Sequence, residues 1–128
     1  MKKRLLAVFV LGLLAVSACA DEIATITAEA LHKNLEAKSD HPPLVVDVRE
    51  PAEFEASHID GALLAPLATV EENLAQIPKD REIVLVCRSG RRSGLAYQRL
   101  AARGYTRLWN MTGGMIAWEK LGYPVVKK

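Results

Sequence analysis

Apolar positions along this chain alternate between a strand rhythm and a helix rhythm, and their order predicts a layered α/β arrangement. Ile23 to Ile26 alternates weakly and predicts an edge strand. Thr27 is placed to cap a helix reaching about Lys38, with Ala30, Leu31 and Leu35 turned inward. Ser39-Asp40-His41-Pro42-Pro43 is a loop. Leu44 to Val48 is a short apolar run ending in charge, the pattern of a buried parallel strand. Pro51 suits a first helical position and opens a helical turn through Ala56. Asp60-Gly61 predicts a turn, and Ala62 to Leu67 a second extended piece.

The second half repeats the alternation. Thr69 to Ile77 reads as a helix capped by Thr69, with Val70 and Leu74 inward, broken by Pro78-Lys79-Asp80. Ile83 to Val86 is the clearest strand, fully apolar and rich in β-branched residues. Ser93 to Arg103 predicts a helix closed by Gly104, and Tyr105 to Trp109 another strand. Thr112-Gly113-Gly114 is a loop before a last helix over Met115 to Leu121. Strands separated by helices imply one α/β domain over residues 21–128: a mainly parallel central sheet with helices on both faces.

The first twenty residues stand apart. Lys2, Lys3 and Arg4 precede an apolar run from Leu5 to Val16, shorter than the roughly 20 residues that span a bilayer. Residues 1–20 therefore read as an export signal. Ala18-Cys19-Ala20 before Asp21 has the small-x-small form of a cleavage site, whereas Val16-Ser17-Ala18-Cys19 resembles a bacterial lipobox that would acylate Cys19. Both endings stay open, with a lean toward lipidation. Either places the domain outside the cytoplasm, in a bacterial periplasm or anchored to a membrane.

Losing this leader changes the charge picture. The 17 basic residues fall to 14 without Lys2, Lys3 and Arg4, against 15 acidic ones. The formal charge of +2 thus disappears, and nothing global favours nucleic acid. The two cysteines, Cys19 and Cys87, become one in the mature domain. Exported proteins use cysteines mainly in pairs, so a single leftover thiol points to reactivity or an intermolecular bond.

The neighbours of Cys87 favour reactivity. Cys87-Arg88-Ser89-Gly90-Arg91-Arg92-Ser93 lies between a buried strand and a helix, at the carboxyl edge of the sheet where α/β proteins bind ligands. Such a loop turns its backbone N–H groups inward as an anion nest, reinforced by the helix N-terminus. Gly90 permits the turn. Helix terminus and arginines together favour thiolate over thiol. A small hydrophobe beside a solvated basic turn is the bland alternative, and the combination in this position outweighs it.

The loop resembles the active-site loop of rhodaneses, Cys-x-x-Gly-x-Arg followed by Ser or Thr, at every pattern position. Asp47-Val48-Arg49-Glu50, Glu53-Phe54, His58-Ile59, Gly61-Ala62 and Pro66 resemble the family's N-terminal signature, and Gly113-Gly114, Trp118, Gly122 and Pro124 its C-terminal one. The resemblance covers Ile23 to Val126 and implies a single-domain, thiosulfate sulfurtransferase-like enzyme. Cys87 would carry a persulfide, loaded by a small anionic sulfur donor and emptied by a thiol or cyanide. Amides of Arg88 to Ser93 would hold the extra sulfur; Arg88 and Arg91 would attract the donor. Arg92 would brace the loop against a carboxylate, and Ser93 would donate to sulfur or cap the helix. Asp47 and Arg49 would orient the loop or the substrate, with a structural ion pair the more economical reading. For His58, a fold-supporting hydrogen bond is expected rather than a base. Trp109 and Trp118 are expected in the core, and Met111 at the pocket rim.

Four residues separate Cys87 from Arg92, whereas related phosphatases and arsenate reductases use Cys-x5-Arg. The shorter loop suits one sulfur atom rather than a tetrahedral oxyanion, which places a phosphatase behind. A persulfide carrier serving a dedicated partner is the main rival. A non-catalytic module would often lack the cysteine, and a disulfide oxidoreductase would need a second one. No metal-ligand spacing occurs, so neither metal nor cofactor is expected. Oligomeric state, donor and acceptor stay open.

Overall fold

Alternating side chains on a few short strands divide the interior into two cores. The computed structural model describes residues 22–128. Its strands are β1 (Thr25–Ile26), β2 (Leu44–Asp47), β3 (Leu63–Leu64), β4 (Ile83–Val86) and β5 (Leu108–Met111). All pair in parallel, in the order β1-β5-β4-β2-β3. On central β4, Ile83 and Leu85 point into one core with Val46, Val48, Val70 and Leu100, and Cys87 continues that row. Val84 and Val86 point into the other, with Val45, Leu31, Met111 and Trp118. The pleat sends successive side chains to opposite faces, so a strand covered on both sides must be apolar throughout.

Helices cover both faces. α1 (Ala28–Glu36) and α4 (Gly114–Lys120) lie on the Trp118 side. α3 (Arg91–Ala101) and a 3-10 segment (Leu67–Gln76) lie on the other, and α2 (Pro51–Ala56) follows β2. Leu100 on α3 is wholly buried, and cutting such a side chain to alanine costs about 2–5 kcal/mol.

Several element boundaries differ from the sequence reading. Thr27 does cap α1, its Oγ1 accepting from Ala30 N at 3.0 Å, but Ala28 is buried with Leu31 whereas Ala30 is half-buried. The expected helix capped by Thr69 is instead a 3-10 segment starting at Leu67 and kinked at Thr69 and Asn73. Asn73 Nδ2 donates to Thr69 O at 3.1 Å, a local bond that competes with regular helix geometry. β5 begins three residues later than expected, because the buried Tyr105 donates its hydroxyl to Ile77 O and ties that stretch to the loop before β4.

Two side chains expected elsewhere are corrected. Trp109 is not core: it is 36% exposed and donates to Glu82 Oε1 at 2.7 Å. Beside it lies a cavity of about 310 Å³ lined by Ile26, Asn34, Ala37 and Trp109. Met111 lines no rim; it is fully buried against Met115 and Trp118. Trp118 is buried as expected and donates to Pro124 O at 2.9 Å. The expected export signal and Cys19 lie outside the described residues, and among the described residues no helix is long and apolar enough to cross a membrane.

Candidate active site

The site is built where β4 runs out. Beyond Val86 the chain turns under the N-terminal end of α4: Met115 N donates to Cys87 O at 2.9 Å and Ile116 N to Arg88 O at 3.1 Å. A trans peptide carries its N–H opposite its C=O, so fixing these carbonyls toward α4 turns the next amides the other way, over the sulfur. Gly114 makes the approach possible. A Cβ there would lie 2.5 Å from Cys87 O and collide with Arg88 O as well, and its φ is +55°.

Gly90 completes the turn. With φ of +106° it occupies the left-handed region at the cap of α3, which starts at Arg91, two residues earlier than the sequence suggested. Its N–H donates to Cys87 Sγ at 3.0 Å. Ser93, on the first turn of α3, sets its hydroxyl oxygen 3.4 Å from the same sulfur. Cys87 itself has no solvent exposure. Burial pushes its thiol pKa up and is the largest single influence. The hydrogen bonds of the Ser93 hydroxyl and of the Ser93, Gly90 and Ser89 amides together outweigh it and hold the pKa below the ordinary thiol value. The sulfur thus sits in an anion nest closed from water.

The arginines divide into two kinds. Arg92 braces α3 against α2 through a two-pronged pair with Glu53, at 2.8 and 2.9 Å. That hydrogen-bonded partner, against an opposing effect of burial, lowers the Glu53 pKa to about 2, and Glu53 Oε1 also accepts from Glu50 N. Arg88 and Arg91 are exposed and enter no ion pair among the described residues. They are free to meet an anion.

Asp47 and Arg49 form a buried ion pair, Nη2 to Oδ2 at 2.8 Å and Nε to Oδ1 at 2.9 Å, with Nη2 also donating to Ser57 O at 2.7 Å. Asp47 Oδ1 also accepts from Arg49 N at 3.1 Å, so the pair holds the chain after β2. Beside them, a cavity of about 250 Å³ is lined by Arg49, Glu53, Ser57, Arg88, Met115 and Ile116. His58 stacks on Phe54 at 3.7 Å, and its Nδ1 lies 2.7 Å from Phe54 O. It serves the fold. Among the described residues no group of three metal-ligating side chains occurs.

Asn110 escaped the sequence reading. From β5 its Oδ1 accepts from the Ser93 hydroxyl and its Nδ2 donates to Gly90 O at 3.1 Å. A polar residue inside the apolar run of β5 was the available signal. Glu53 and Gly114 were visible as motif positions, but their jobs were not.

Comparison with known proteins agrees with this architecture. The model of the rhodanese-like domain family matches residues 27–121. A curated sulfurtransferase of Allochromatium vinosum is 42% identical over 101 residues, covering 79% of this chain and 92% of that protein. The thiosulfate sulfurtransferase PspE of Escherichia coli is 36% identical over 84 residues, covering 64% and 77%. The crystal structure of a rhodanese-like domain protein from Staphylococcus aureus superposes with a TM-score of 0.74 at 32% identity, over 83% of this chain and 99% of that one. Some longer relatives match over only a part of their length, as little as 21%.

Proposed function

Because the chain belongs to the rhodanese-like domain family, which holds sulfurtransferases and sulfur carriers, we propose that it moves sulfane sulfur from a donor such as thiosulfate to a thiol or cyanide through a persulfide on Cys87. The observation that carries this reading is the Cys87 sulfur beneath inward amides, 3.0 Å from Gly90 N, in a loop with four residues between cysteine and arginine. In the first half-reaction the thiolate attacks the outer sulfur of thiosulfate. The Sγ–S bond forms, the donor S–S bond breaks, and sulfite leaves with its electron pair. An acceptor nucleophile then takes the terminal sulfur and returns the charge to Sγ. Two half-reactions through one covalent intermediate predict ping-pong kinetics.

Loop amides stabilise the terminal sulfur anion, a preorganised role like that of an oxyanion hole. Arg88 and Arg91 draw in the anionic donor. The test is intact mass after incubation with thiosulfate: one added sulfur in the native chain, none in Cys87→Ser. An adduct retained by Cys87→Ser overturns the assignment.

One observation favours a second reading, a carrier that delivers only to a partner protein. Cys87 has no exposure, so transfer requires the loop to open, and a docked partner could open it. Fast loading with slow discharge to every small thiol would support the carrier. Export, with either signal cleavage or acylation at Cys19, completes the proposal; the mass of the mature N-terminal residue decides between the two.

A further inference from the structure

The Ser93 hydroxyl has one hydrogen and two acceptors. Its oxygen lies 2.5 Å from Asn110 Oδ1 and 3.4 Å from Cys87 Sγ. The orientation of the amide is set by its far end, because Asn110 Nδ2 faces Gly90 O, a carbonyl that can only accept. Oδ1 therefore faces Ser93, and it too can only accept. With the proton in the shorter bond, the hydroxyl presents a lone pair to sulfur. That suits a thiol, whose S–H can donate to it, and disfavours a thiolate, which needs the proton for itself.

The fold holds this triangle firmly. Asn110 sits on β5 in register with Leu85 and is 9% exposed, its backbone N–H bonded to Ala24 O. A buried amide on an apolar strand is costly unless both ends are bonded, and here both are spent on the loop around Cys87. Ser93 is wholly buried on the first turn of α3. The hydroxyl therefore chooses between amide oxygen and sulfur.

We propose that Asn110 is a positioning residue that holds the Ser93 proton while Cys87 Sγ is uncharged and yields it when Sγ is ionised. Its part in turnover rests on the sulfur-transfer reading above; its effect on the thiol does not. In the cycle, attack on the donor makes Sγ a neutral, divalent sulfur and moves the negative charge to the terminal sulfur among the loop amides. The hydroxyl proton goes back to Asn110. Discharge to the acceptor restores the charge on Sγ, and the proton follows it. Asn110 thus favours thiol and persulfide over free thiolate.

The charged groups around Cys87 are the same in the native chain and in the alanine and valine variants. Arg88 and Arg91 come from the loop and its helix, Arg92 with Glu53 joins α3 to α2, and Asp47 with Arg49 follows from β2. β5 and the first turn of α4 carry no charged side chain. Differences between variants at Asn110 therefore report on the hydroxyl.

The experiment is the pH dependence of Cys87 alkylation by iodoacetamide, read on the Cys87 peptide by mass spectrometry so that Cys19 does not contribute. Asn110→Ala releases the proton to sulfur and should move the midpoint down by about half to one pH unit, a roughly three- to tenfold change in the thiolate equilibrium. Asn110→Val, which fills the same strand position, should do likewise and serves if the smaller side chain lowers the melting temperature. Asn110→Asp keeps an acceptor and adds charge, so its midpoint should rise. In a Ser93→Ala background, Asn110→Ala should produce no shift. An upward or absent shift in both Asn110→Ala and Asn110→Val, or an equal shift without the hydroxyl, overturns the proposal. If thiosulfate fails to load the native chain, the sulfur-transfer reading falls while the titration result stands.

Discussion

Arg92 and Glu53 are 39 residues apart in sequence and face each other fork to fork, both terminal nitrogens of one matched to both oxygens of the other. The pair ties the helix that carries Ser93 to the short helix after β2, and so sets how tightly the Cys87 loop can curl. Two-pronged geometry distinguishes arginine from lysine here. Arg92→Lys should therefore lower stability by about 1 kcal/mol, the upper end for a partly exposed pair, and should slow sulfur loading. Thermal melting and stopped-flow loading measure the two effects. Unchanged values in Arg92→Lys would show that the brace is idle.

The same pair predicts an acid limit. The Glu53 pKa is lowered to about 2 in the folded chain, from the ordinary glutamate value of 4.5. A depressed carboxyl pKa contributes stability that is complete above the unfolded value and is lost as pH falls through the folded one. The melting-temperature gap between native chain and Glu53→Gln should be constant above about pH 5 and shrink between about 4.5 and 2. A gap that widens on acidification contradicts the assignment.

Gly114 should tolerate no side chain. Its missing Cβ is what admits the carbonyls of Cys87 and Arg88, and its φ lies in the left-handed region. Gly114→Ala is expected to cost about 1–3 kcal/mol. By displacing those carbonyls it should also swing the loop amides off the sulfur, so the thiol pKa should rise. Melting and Cys87 alkylation against pH test both parts together, and stability lost without any change in titration would uncouple them.

Ser93→Ala removes a hydroxyl donor from the neighbourhood of a buried thiolate. A hydrogen bond to a charged group contributes about 1.5–3 kcal/mol, so loading near neutral pH should slow by roughly tenfold or more. The slowing should diminish as pH rises past the thiol pKa of the variant. A defect of the same size at every pH would point to distorted geometry instead.

Arg88→Ala and Arg91→Ala should raise the KM for thiosulfate severalfold with little effect on kcat, since both cations are exposed and unpaired among the described residues. Added salt should shrink the penalty, because it screens exposed charges over about 8–10 Å. Steady-state kinetics at two ionic strengths give the answer. A salt-independent KM would remove these side chains from donor capture.

What the sequence by itself determined is local. Ile83 to Val86 is apolar at every position because both faces of a central parallel strand are covered, and that run can be read directly. Cys87, Gly90 and the arginines lie within six residues of one another, so their shared turn was legible without knowing the neighbours. Thr27 and Pro51 announced their helices for the same reason: caps and first turns are set within one turn of chain. Only the tertiary structure decided which distant side chains meet. Sheet order places β5 beside β4, and that brings Asn110 to Ser93 and Gly90; no periodicity in the chain encodes which strands become neighbours. Packing left Trp109 exposed at a cavity, a bond from the Asn73 side chain to the Thr69 carbonyl accompanies the kinks in that segment, and the packing of α4 under the loop assigned Gly114 its task. Residue type and spacing thus set the chemistry available at Cys87, whereas contacts between remote segments set its protonation and access, because those energies depend on distances that exist only once the chain has packed.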